Sequence, residues 1–509
     1  MSKVIKATTT DGKQVEFVDT IIGTGGMKDV YFSPDKSYVV GFIRDSIGWQ
    51  SNNRQKYSQT KDRLETIAGL YYKRFFEQPG GDYWKNLFCW PTGVVEVDGK
   101  GLGVVTPSYQ KQYFFEHGSN NNDILNIKGN EKEGKWFASA KMRSRFIEPK
   151  ELGDWLSYLR MGISLSRAVA RLHAAGLAHS DLSYKNCLVN PITGSACIID
   201  VDGLVVPQKF PPDVVGTPDF IAPEVVMTSH LSSDDTNRKL PSMLTDRHAL
   251  AVLIYMYLLY RHPLRGDKVH DQDPMKDENL SMGIKALFVE HPSDSSNRIK
   301  LTNVDKWEMP WKDTGKITYT VTGPYLVPLF NRTFIDSLHS PINRPTASEW
   351  ETALVKTVDL IQPCINASCN QKWYVFDNTT SPACPFCGTA YKGKLPVLNL
   401  YSSRQKGSYR PDNHRLMVYT NQSLFQWHVN RDVFPNEKLT DEQKRRVGYF
   451  VLHNNAWWLV NERLPDLMDA STKIKIAVGD KVELKDGLQL LMSNEEGGRL
   501  VVVQMVEGQ

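Results

Sequence analysis

The sequence lacks an apolar run long enough to cross a bilayer. Its longest apolar stretch, Ala249 to Tyr260, is well short of the about 20 residues that a membrane-spanning helix needs. The amino-terminal segment MSKVIKATTTDGKQVEF also lacks an apolar core of signal-peptide length. Both absences argue against a membrane protein or a secreted protein, and we expect a cytoplasmic one.

The sequence also has little net charge and few cysteines. Its 61 basic and 57 acidic residues leave a formal charge of +4 over 509 residues, so composition does not point to a nucleic-acid partner. Four of the seven cysteines lie between positions 364 and 387. This distribution suits a metal cluster in a reducing compartment better than a disulfide framework.

Hydrophobic periodicity divides the chain into successive segments. Short β-like runs at about 15–105, interrupted by the helical pattern KDRLETIAGLYYKRFF, predict a small sheet with one helix. The polar residues of about 116–148 predict a mobile insert. From Pro149 to about Gln362 the period is helical, and ALAVLIYMYLLY predicts a fully buried helix. From about Pro396, alternating runs predict a β-rich module of roughly 100 residues.

The stretch HSDLSYKNCLVN places a carboxylate, Asp181, and an amide, Asn186, on one loop after a helical segment. The strand-like ACII that follows brings Asp200 beside them. A positioned carboxylate accepts a hydroxyl proton, and an amide oxygen with a second carboxylate suits Mg²⁺ bound to a polyphosphate. The three residues together therefore indicate phosphoryl transfer.

Upstream, IIGTGGMKDVY places Gly23, Gly25 and Gly26 directly after a strand. Without a Cβ these positions let backbone amides approach phosphates, although a β-hairpin turn explains the glycines equally well. In chain order, GTGGMKDV, HSDLSYKN, IIDVDG, GTPDFIAPE, TDRHALAVLIYMYLLY and NRPTASEW resemble the signature set of protein kinases over about 15–360. The resemblance implies a two-lobed α+β fold with lobes at 1–108 and 109–362, and ATP as the donor.

The same resemblance assigns roles to individual residues. Asp181 is the expected catalytic base, and Asn186 and Asp200 are the expected Mg²⁺ ligands. Thr217 is expected to hydrogen-bond Asp181, which favours a serine or threonine acceptor, and Lys185 to steady the γ-phosphate. Other expected roles belong to the phosphate loop Gly23, Gly25 and Gly26, the adenine hinge Thr106 to Tyr109, the ion pair Glu224–Arg344, and Asp246 as the brace of the catalytic loop.

The sequence departs from the kinase pattern near the phosphates. A lysine on the third strand binds the phosphates in that family, yet YVVGFIRD contains none. Arg44 is the nearest cation on this strand, and Glu65 is its expected helix partner. Lys28 occupies the third glycine position, so it either opens the loop or adds a cation. In DVDG either Asp200 or Asp202 is a metal ligand, and strand spacing favours Asp200.

The stretch from Gly203 to Gly216 contains no serine, threonine or tyrosine, so hydroxyl phosphorylation cannot switch it. Ser180 also stands where the family has the arginine that receives such a phosphate. We expect control by partners or by the appended domains. The alternatives to an active serine/threonine kinase are a pseudokinase scaffold that binds partner proteins and, with the same fold, a small-molecule or nucleotidyl acceptor.

The segment 363–394 carries CINASC and CPFCG, whose four cysteines are spaced as in a zinc ribbon. The expected structural Zn²⁺ ligands are Cys364, Cys369, Cys384 and Cys387; the alternative is four unrelated buried cysteines. The tail, 395–509, loosely resembles a forkhead-associated phosphopeptide-binding sandwich. Arg431 and His428 are its candidate contacts. In the alternative, the tail is a plain β-sandwich with Trp427, Trp457 and Trp458 mainly in its core.

A kinase-like domain, a four-cysteine ribbon and a forkhead-like tail in this order resemble the bacterial kinases associated with tellurite-resistance gene clusters. That resemblance implies a protein substrate, a von Willebrand factor A-type partner and a metal-dependent phosphatase. These partners are expectations from the resemblance alone.

Overall fold

The computed structural model describes residues 3–24, 27–44, 53–207, 209–212, 216–232, 235–376, 382–405 and 407–508. Its fold is mixed α+β, as the sequence predicts, and the chain divides into two compact units. Unit 1 consists of Met1–Gly153, Arg160–Thr318 and Leu329–Glu351. Unit 2 consists of Asp154–Leu159, Tyr319–Pro328 and Thr352–Gln509.

Antiparallel strands build the amino-terminal part of unit 1. They are β1 (Val4–Thr8), β2 (Gln14–Val18), β3 (Ile21–Thr24), β4 (Lys28–Phe32), β5 (Tyr38–Ile43), β6 (Gly93–Val97) and β7 (Gly101–Pro107). β1 pairs with β2, and the other five form a sheet in the order β3-β4-β5-β7-β6. Because side chains alternate along β5, Phe42 packs with Phe17 and Tyr31 on one face, whereas Gly41 lies on the opposite face.

A helical stretch interrupts these strands, as predicted. It consists of α1 (Arg54–Glu65), a π-helical turn (Thr66–Tyr71), α2 (Tyr72–Phe76) and α3 (Gly81–Lys85). The Asn53 side chain caps α1 by accepting a hydrogen bond of 2.9 Å from the Lys56 amide. Leu64 and Ala68 pack against Val104 and its neighbours, so the apolar side of the stretch covers the sheet.

Residues 116–148 are folded, and the prediction of a mobile insert there is wrong. They include α4 (Asn120–Asp123) and α5 (Ala140–Arg145). The Lys132 ammonium lies 2.7 Å from the Glu151 carboxylate, and both side chains are buried. Glu151 also accepts hydrogen bonds from the backbone amides of His117 and Gly118. A buried lysine and two backbone amides of this segment thus bond to a buried carboxylate that follows the segment, and these contacts order it although many of its side chains are exposed.

The rest of unit 1 is mainly helical. Its elements are α6 (Trp155–Ala174), β8 (Cys187–Asn190), β9 (Ser195–Ile198), α7 (Pro223–Thr228), α8 (Met243–Leu259), α9 (Pro274–Met282), α10 (Val327–Asn331) and α11 (Ala347–Asp359). The division between the units falls within α6, α10 and α11. A capping box of Ser242 and Thr245 starts α8, and Tyr260 ends it in the left-handed conformation. The prediction of a fully buried helix is confirmed, since α8 is buried on all sides.

Unit 2 contains a short hairpin followed by two sheets. The hairpin is β10 (Ile361–Pro363) with β11 (Trp373–Val375). The later elements are β12 (Gly393–Gln405), β13 (Ser408–Met417), β14 (Ser423–Leu424), α12 (Gln426–Val429), α13 (Asp441–Lys444), β15 (Gly448–His453), β16 (Ala456–Asn461), β17 (Met468–Asp469), β18 (Lys481–Glu483), β19 (Gln489–Leu491) and β20 (Arg499–Gly508). The sheet orders are β13-β12-β20-β19-β17 and β14-β15-β16-β18, which confirms a β-rich tail.

Within the part of the chain that the structure describes, no helix combines the length and the apolarity that a bilayer span requires.

Candidate functional site

A cleft of about 490 Å³ lies in unit 1 between the five-stranded sheet and the β8–β9 hairpin. The sheet side and the predicted hinge supply an apolar wall, which includes Ile22, Val30, Val39, Val104, Thr106 and Tyr109. Burial raises the pKa of the Tyr109 hydroxyl above its ordinary value. The opposite wall carries Asn186, Asp200 and Asp202. One side of the cleft is thus apolar and the other carries oxygen ligands.

Asp181 lies on the loop between α6 and β8, and both of its carboxylate oxygens accept hydrogen bonds. Thr217 Oγ1 donates to Oδ1 at 2.7 Å, and Asn186 Nδ2 donates to Oδ2 at 3.0 Å. Asn186 Nδ2 also donates to the Asp181 backbone carbonyl at 2.8 Å. The amide nitrogen makes both bonds, and no described residue donates a hydrogen bond to the amide oxygen of Asn186, which lines the cleft. The structure therefore brings these three predicted residues together.

Asp246, at the start of α8, holds the loop that carries Asp181. Its buried carboxylate accepts hydrogen bonds from the amides of His179 at 2.7 Å and Ser180 at 3.2 Å, and His173 Nε2 lies 3.2 Å away. His179 Nε2 is in turn 2.9 Å from the carbonyl oxygen of Ile199. This network joins the Asp181 loop to the residue before Asp200, and it matches the brace expected from the sequence.

Asp200 follows β9 in a left-handed conformation, with φ 60° and ψ 40°. This conformation costs free energy for a residue that has a side chain, and such backbone strain is concentrated at functional sites. The Asp200 side chain is 56% exposed, whereas that of Asp202 is only 12% exposed. The positive charge of Lys28 lowers the pKa of Asp200, and burial raises the pKa of Asp202. Asp200 is therefore the more accessible of the two candidate metal ligands.

The cation beside these carboxylates is Lys28 of β4. Its Nζ lies 3.0 Å from Asp200 Oδ1 and 2.6 Å from Asp202 Oδ2. Burial alone would lower the pKa of Lys28, but the charges of Asp202 and Asp200 outweigh burial and raise it. The sequence offered Lys28 only as an additional cation. The kinase pattern gives no reason to choose Lys28, because β4 is not the strand that carries the lysine in that pattern.

The predicted pairing of Arg44 with Glu65 is not what the structure shows. Arg44 directly follows β5, and alternation along the strand places its side chain on the face of Phe42 and not on the face of Gly41. Its Nε donates to Asp29 at 3.0 Å. Glu65 is partly exposed and lies within electrostatic reach of Tyr57 and Lys61.

The remaining predicted phosphate contacts are only partly described. Gly23 lies in β3 and lines the cleft. Gly25 and Gly26 lie outside the described residues. Lys185 is exposed on the loop between Asp181 and Asn186.

The segment after Asp202 contacts α1. Arg63 is buried, its Nη2 donates to the Pro211 carbonyl at 2.6 Å, and its guanidinium lies over the Phe210 ring. Lys209 Nζ is 3.5 Å from Asp62 at the surface. These contacts hold the described residues 209–212 against the helix without a phosphate group.

The buried ion pair expected in the helical part is present. Arg344, with a fully buried side chain, donates to both carboxylate oxygens of Glu224 at 2.7 and 2.8 Å. The same guanidinium donates to the carbonyls of Leu338 and Leu244. The pair joins α7, the helix after Thr217, to the residues before α11.

In unit 2 the four predicted cysteines converge beside the β10–β11 hairpin. The sulfurs of Cys364 and Cys387 are 3.6 Å apart and those of Cys369 and Cys384 are 3.9 Å apart. All four lie within 4.8 Å of one another. Four thiols at this spacing fit a tetrahedral Zn²⁺ ion and not a pair of disulfides. This cluster has the donor set of a structural zinc site.

The tail residues offered as phosphopeptide contacts have other partners. His428 is buried, and its Nε2 lies 3.1 Å from Asp359 Oδ1, while His414 Nε2 lies 2.7 Å from Oδ2 of the same carboxylate. The candidate role of His428 as a phosphopeptide contact is therefore wrong, because α12 turns this side chain inward. Arg431 pairs with its neighbour Asp432.

The three tail tryptophans differ in their surroundings. Trp457 is buried, and its Nε1 donates to the Lys394 carbonyl at 2.7 Å. Trp427 stacks on Phe425, and Trp458 is half-buried beneath Lys481. Only Trp457 is a full member of the core.

Comparison with known proteins gives little further information. No family model matches the chain, and no curated protein matches it. Among solved structures, the kinase domain of a specific rhoptry antigen of Toxoplasma gondii is 13% identical with a TM-score of 0.40, over 70% of this chain and 86% of that one. A rhoptry kinase of the same organism is 12% identical with a TM-score of 0.40, over 70% and 85% of the two chains. Similarity at this level assigns neither a fold family nor an activity.

Proposed function

We propose that this chain has a two-lobed protein-kinase-like fold and is a Mg²⁺-dependent kinase that transfers the γ-phosphoryl group of ATP to serine or threonine of a protein. One observation carries the proposal. Asn186, which holds the Asp181 carboxylate together with Thr217, lines the same cleft as Asp200, and these residues occur in the chain order of the kinase signature set.

The cleft suits a nucleotide in size and in chemistry. Its volume of about 490 Å³ falls in the range of small-molecule sites, and its apolar wall suits an adenine ring. The amide oxygen of Asn186 and the accessible carboxylate of Asp200 are hard ligands of the kind that Mg²⁺ prefers, and both residues line the cleft. When bound, Mg²⁺ neutralises charge on the phosphates. The residues present therefore fit both the nucleotide and the ion.

In the proposed reaction Asp181 accepts the proton of the acceptor hydroxyl. The hydroxyl oxygen forms a bond to the γ-phosphorus, the bond from that phosphorus to the β,γ-bridging oxygen breaks, and ADP leaves. Thr217 and Asn186 fix the direction of the Asp181 carboxylate before the acceptor arrives. Lys185, exposed on the same loop, is the proposed contact of the γ-phosphate.

We also propose that activity is controlled by partners or by the appended domains. Support comes from the segment Gly203 to Gly216, which has no hydroxyl side chain, and from Arg63, which holds part of this segment through the Pro211 carbonyl. The four-cysteine cluster is proposed to bind a structural Zn²⁺ that fixes the ribbon segment. A von Willebrand factor A-type protein and a metal-dependent phosphatase remain proposed partners.

A pseudokinase scaffold is the second candidate. It is favoured by the ion pairs of Lys28 with both Asp200 and Asp202, which engage the acidic groups of the cleft within the chain. A transfer assay separates the two candidates. The kinase proposal predicts label from γ-labelled ATP on a protein acceptor, lost in Asp181→Asn and Asp200→Asn. ATP binding without any transfer by the unaltered protein would favour the scaffold.

A further inference from the structure

The position that faces α1 at the end of β5 is occupied by an aliphatic residue. Ile43 packs toward the cluster of Leu64 and Val104, on the face that α1 covers. In the antiparallel register, the residue directly opposite Ile43 is Lys28 of β4. Cross-strand partners project from the same face of a sheet. A lysine at position 28 therefore reaches the space that a lysine at position 43 would enter.

The neighbouring backbone leaves room for this lysine. A Cβ at Gly41 would lie 3.4 Å from Cδ of Lys28, in van der Waals contact with the lysine side chain. A larger side chain at position 41 would compete with that side chain for the same space. Gly41 and Lys28 also both line the cleft. The glycine and the lysine are thus complementary on this face of the sheet.

The carboxylates that pair with Lys28, those of Asp202 and Asp200, come from the loop after β9 and not from α1. Asp202 is 12% exposed and places both carboxylate oxygens within 2.7 Å of the Lys28 ammonium. Asp202 stands where the kinase pattern has glycine, so that pattern gives no role to a carboxylate at this position. Glu65 of α1 instead lies near Tyr57 and Lys61.

We propose that Lys28 binds the phosphates of the nucleotide and that Asp202 positions Lys28, so that this pair replaces the strand lysine and helix glutamate of the kinase pattern. The choice of ligand rests on the proposed function. The consequence is regulatory: a movement of α1 does not separate Lys28 from its carboxylate, because β4 and the loop after β9 carry both partners.

The test compares ATP with adenosine, which has no phosphates, by calorimetric titration of the full chain. Each ligand is measured once with Mg²⁺ and once with EDTA. In Lys28→Met the affinity for ATP falls by about ten- to a hundredfold, the range for loss of a hydrogen bond between charged groups. The affinity for adenosine is unchanged. Lys36→Met, at an exposed position in the turn between β4 and β5, is the matched control and keeps the affinity for ATP.

Two further comparisons separate the proposed pair from its rivals. The double variant Lys28→Met/Ile43→Lys places a lysine on β5 directly opposite position 28, and it restores at least part of the affinity for ATP that Lys28→Met loses. Asp202→Asn weakens ATP binding and leaves adenosine binding unchanged, whereas Glu65→Gln and Arg44→Met change neither. Equal losses of ATP and adenosine in Lys28→Met would show a structural role and overturn the proposal.

A larger loss of ATP affinity in Glu65→Gln than in Asp202→Asn would overturn the positioning role of Asp202. A chain that binds ATP through Lys28 but transfers no phosphate would leave this inference standing and refute the proposed kinase activity. Failure of the unaltered chain to bind ATP under any of these conditions would overturn both.

Discussion

Zinc binding by the four-cysteine cluster is the prediction that the geometry specifies most fully. Zn–S bonds of about 2.3 Å in a tetrahedral site place the sulfurs about 3.8 Å apart. The separations of 3.6 Å for Cys364–Cys387 and 3.9 Å for Cys369–Cys384 lie on either side of this value. A disulfide would need about 2.05 Å. We therefore expect one Zn²⁺ per chain.

The perturbation is Cys369→Ala, which removes a ligand that is only 4% exposed. Cys187→Ala, at a fully buried thiol of unit 1, is the control for loss of a buried cysteine. Metal content after dialysis is measured by inductively coupled plasma mass spectrometry. We expect about one equivalent in the unaltered chain and the control, and close to none in Cys369→Ala, because three thiolates do not complete a closed structural site.

The structural effect of zinc loss should be local. The β12–β20 sheet has a core of its own, including Leu395, Val397 and Val503. The small apolar cluster beside the hairpin of β10 and β11 instead consists of Tyr374 and the cysteines Cys369 and Cys384, so it depends on the expected zinc ligands. Chelation should increase hydrogen exchange in 361–376 and leave β12 and β20 protected. Metal retention in Cys369→Ala, or an unaltered chain that takes up no zinc, would refute the reasoning.

Three further predictions test other parts of unit 1. Thr217→Ala lowers kcat by about 10- to 100-fold through loss of the hydrogen bond to Asp181, without changing the Kd for ATP. Thr217→Ser keeps the hydroxyl and retains most of the activity, and equal effects of the two substitutions would contradict the role of this hydrogen bond. Glu224→Gln leaves the buried charge of Arg344 without its carboxylate partner and lowers the free energy of unfolding, measured in urea, by about 3–5 kcal/mol. An unchanged free energy of unfolding would show that the ion pair does not stabilise the fold. Burial lowers the pKa of His262 to about 4, so the unfolded chain binds a proton at this residue below pH 6.5 whereas the folded chain does not. The unfolding free energy of the unaltered chain, relative to that of His262→Gln, therefore falls by up to about 1.4 kcal/mol per pH unit as pH falls from 6.5 to 4. Parallel stability profiles of the two chains would exclude this contribution of His262.

The sequence predicted those features that local motifs determine. Asp181 and Asn186 are five positions apart on one loop, so their convergence follows from spacing alone. The helix α8 was predicted because an apolar run of that length has no exposed face. The cysteine cluster followed from the spacing of its two pairs.

Features that depend on register or on distant partners were not predictable. The role of Lys28 depends on its position opposite Ile43, which only the strand pairing reveals. The pairing of Arg44 with Glu65 was wrong because β5 ends before Arg44, and the alternation of side chains places Arg44 on the face of Phe42, where it pairs with Asp29. The insert at 116–148 is ordered by Glu151, a residue outside the segment, and composition cannot indicate such a partner.

Phosphoryl transfer itself remains the most direct test of the central claim. The full chain is incubated with Mg²⁺ and γ-labelled ATP, on itself and on a generic protein substrate, beside Asp181→Asn, and labelled residues are identified after acid hydrolysis. We predict phosphoserine or phosphothreonine, with kcat lowered by about 10²- to 10⁴-fold in Asp181→Asn and the Kd for ATP unchanged. Binding of ATP by the unaltered chain with no label in any protein, or equal label in Asp181→Asn, would contradict the assignment.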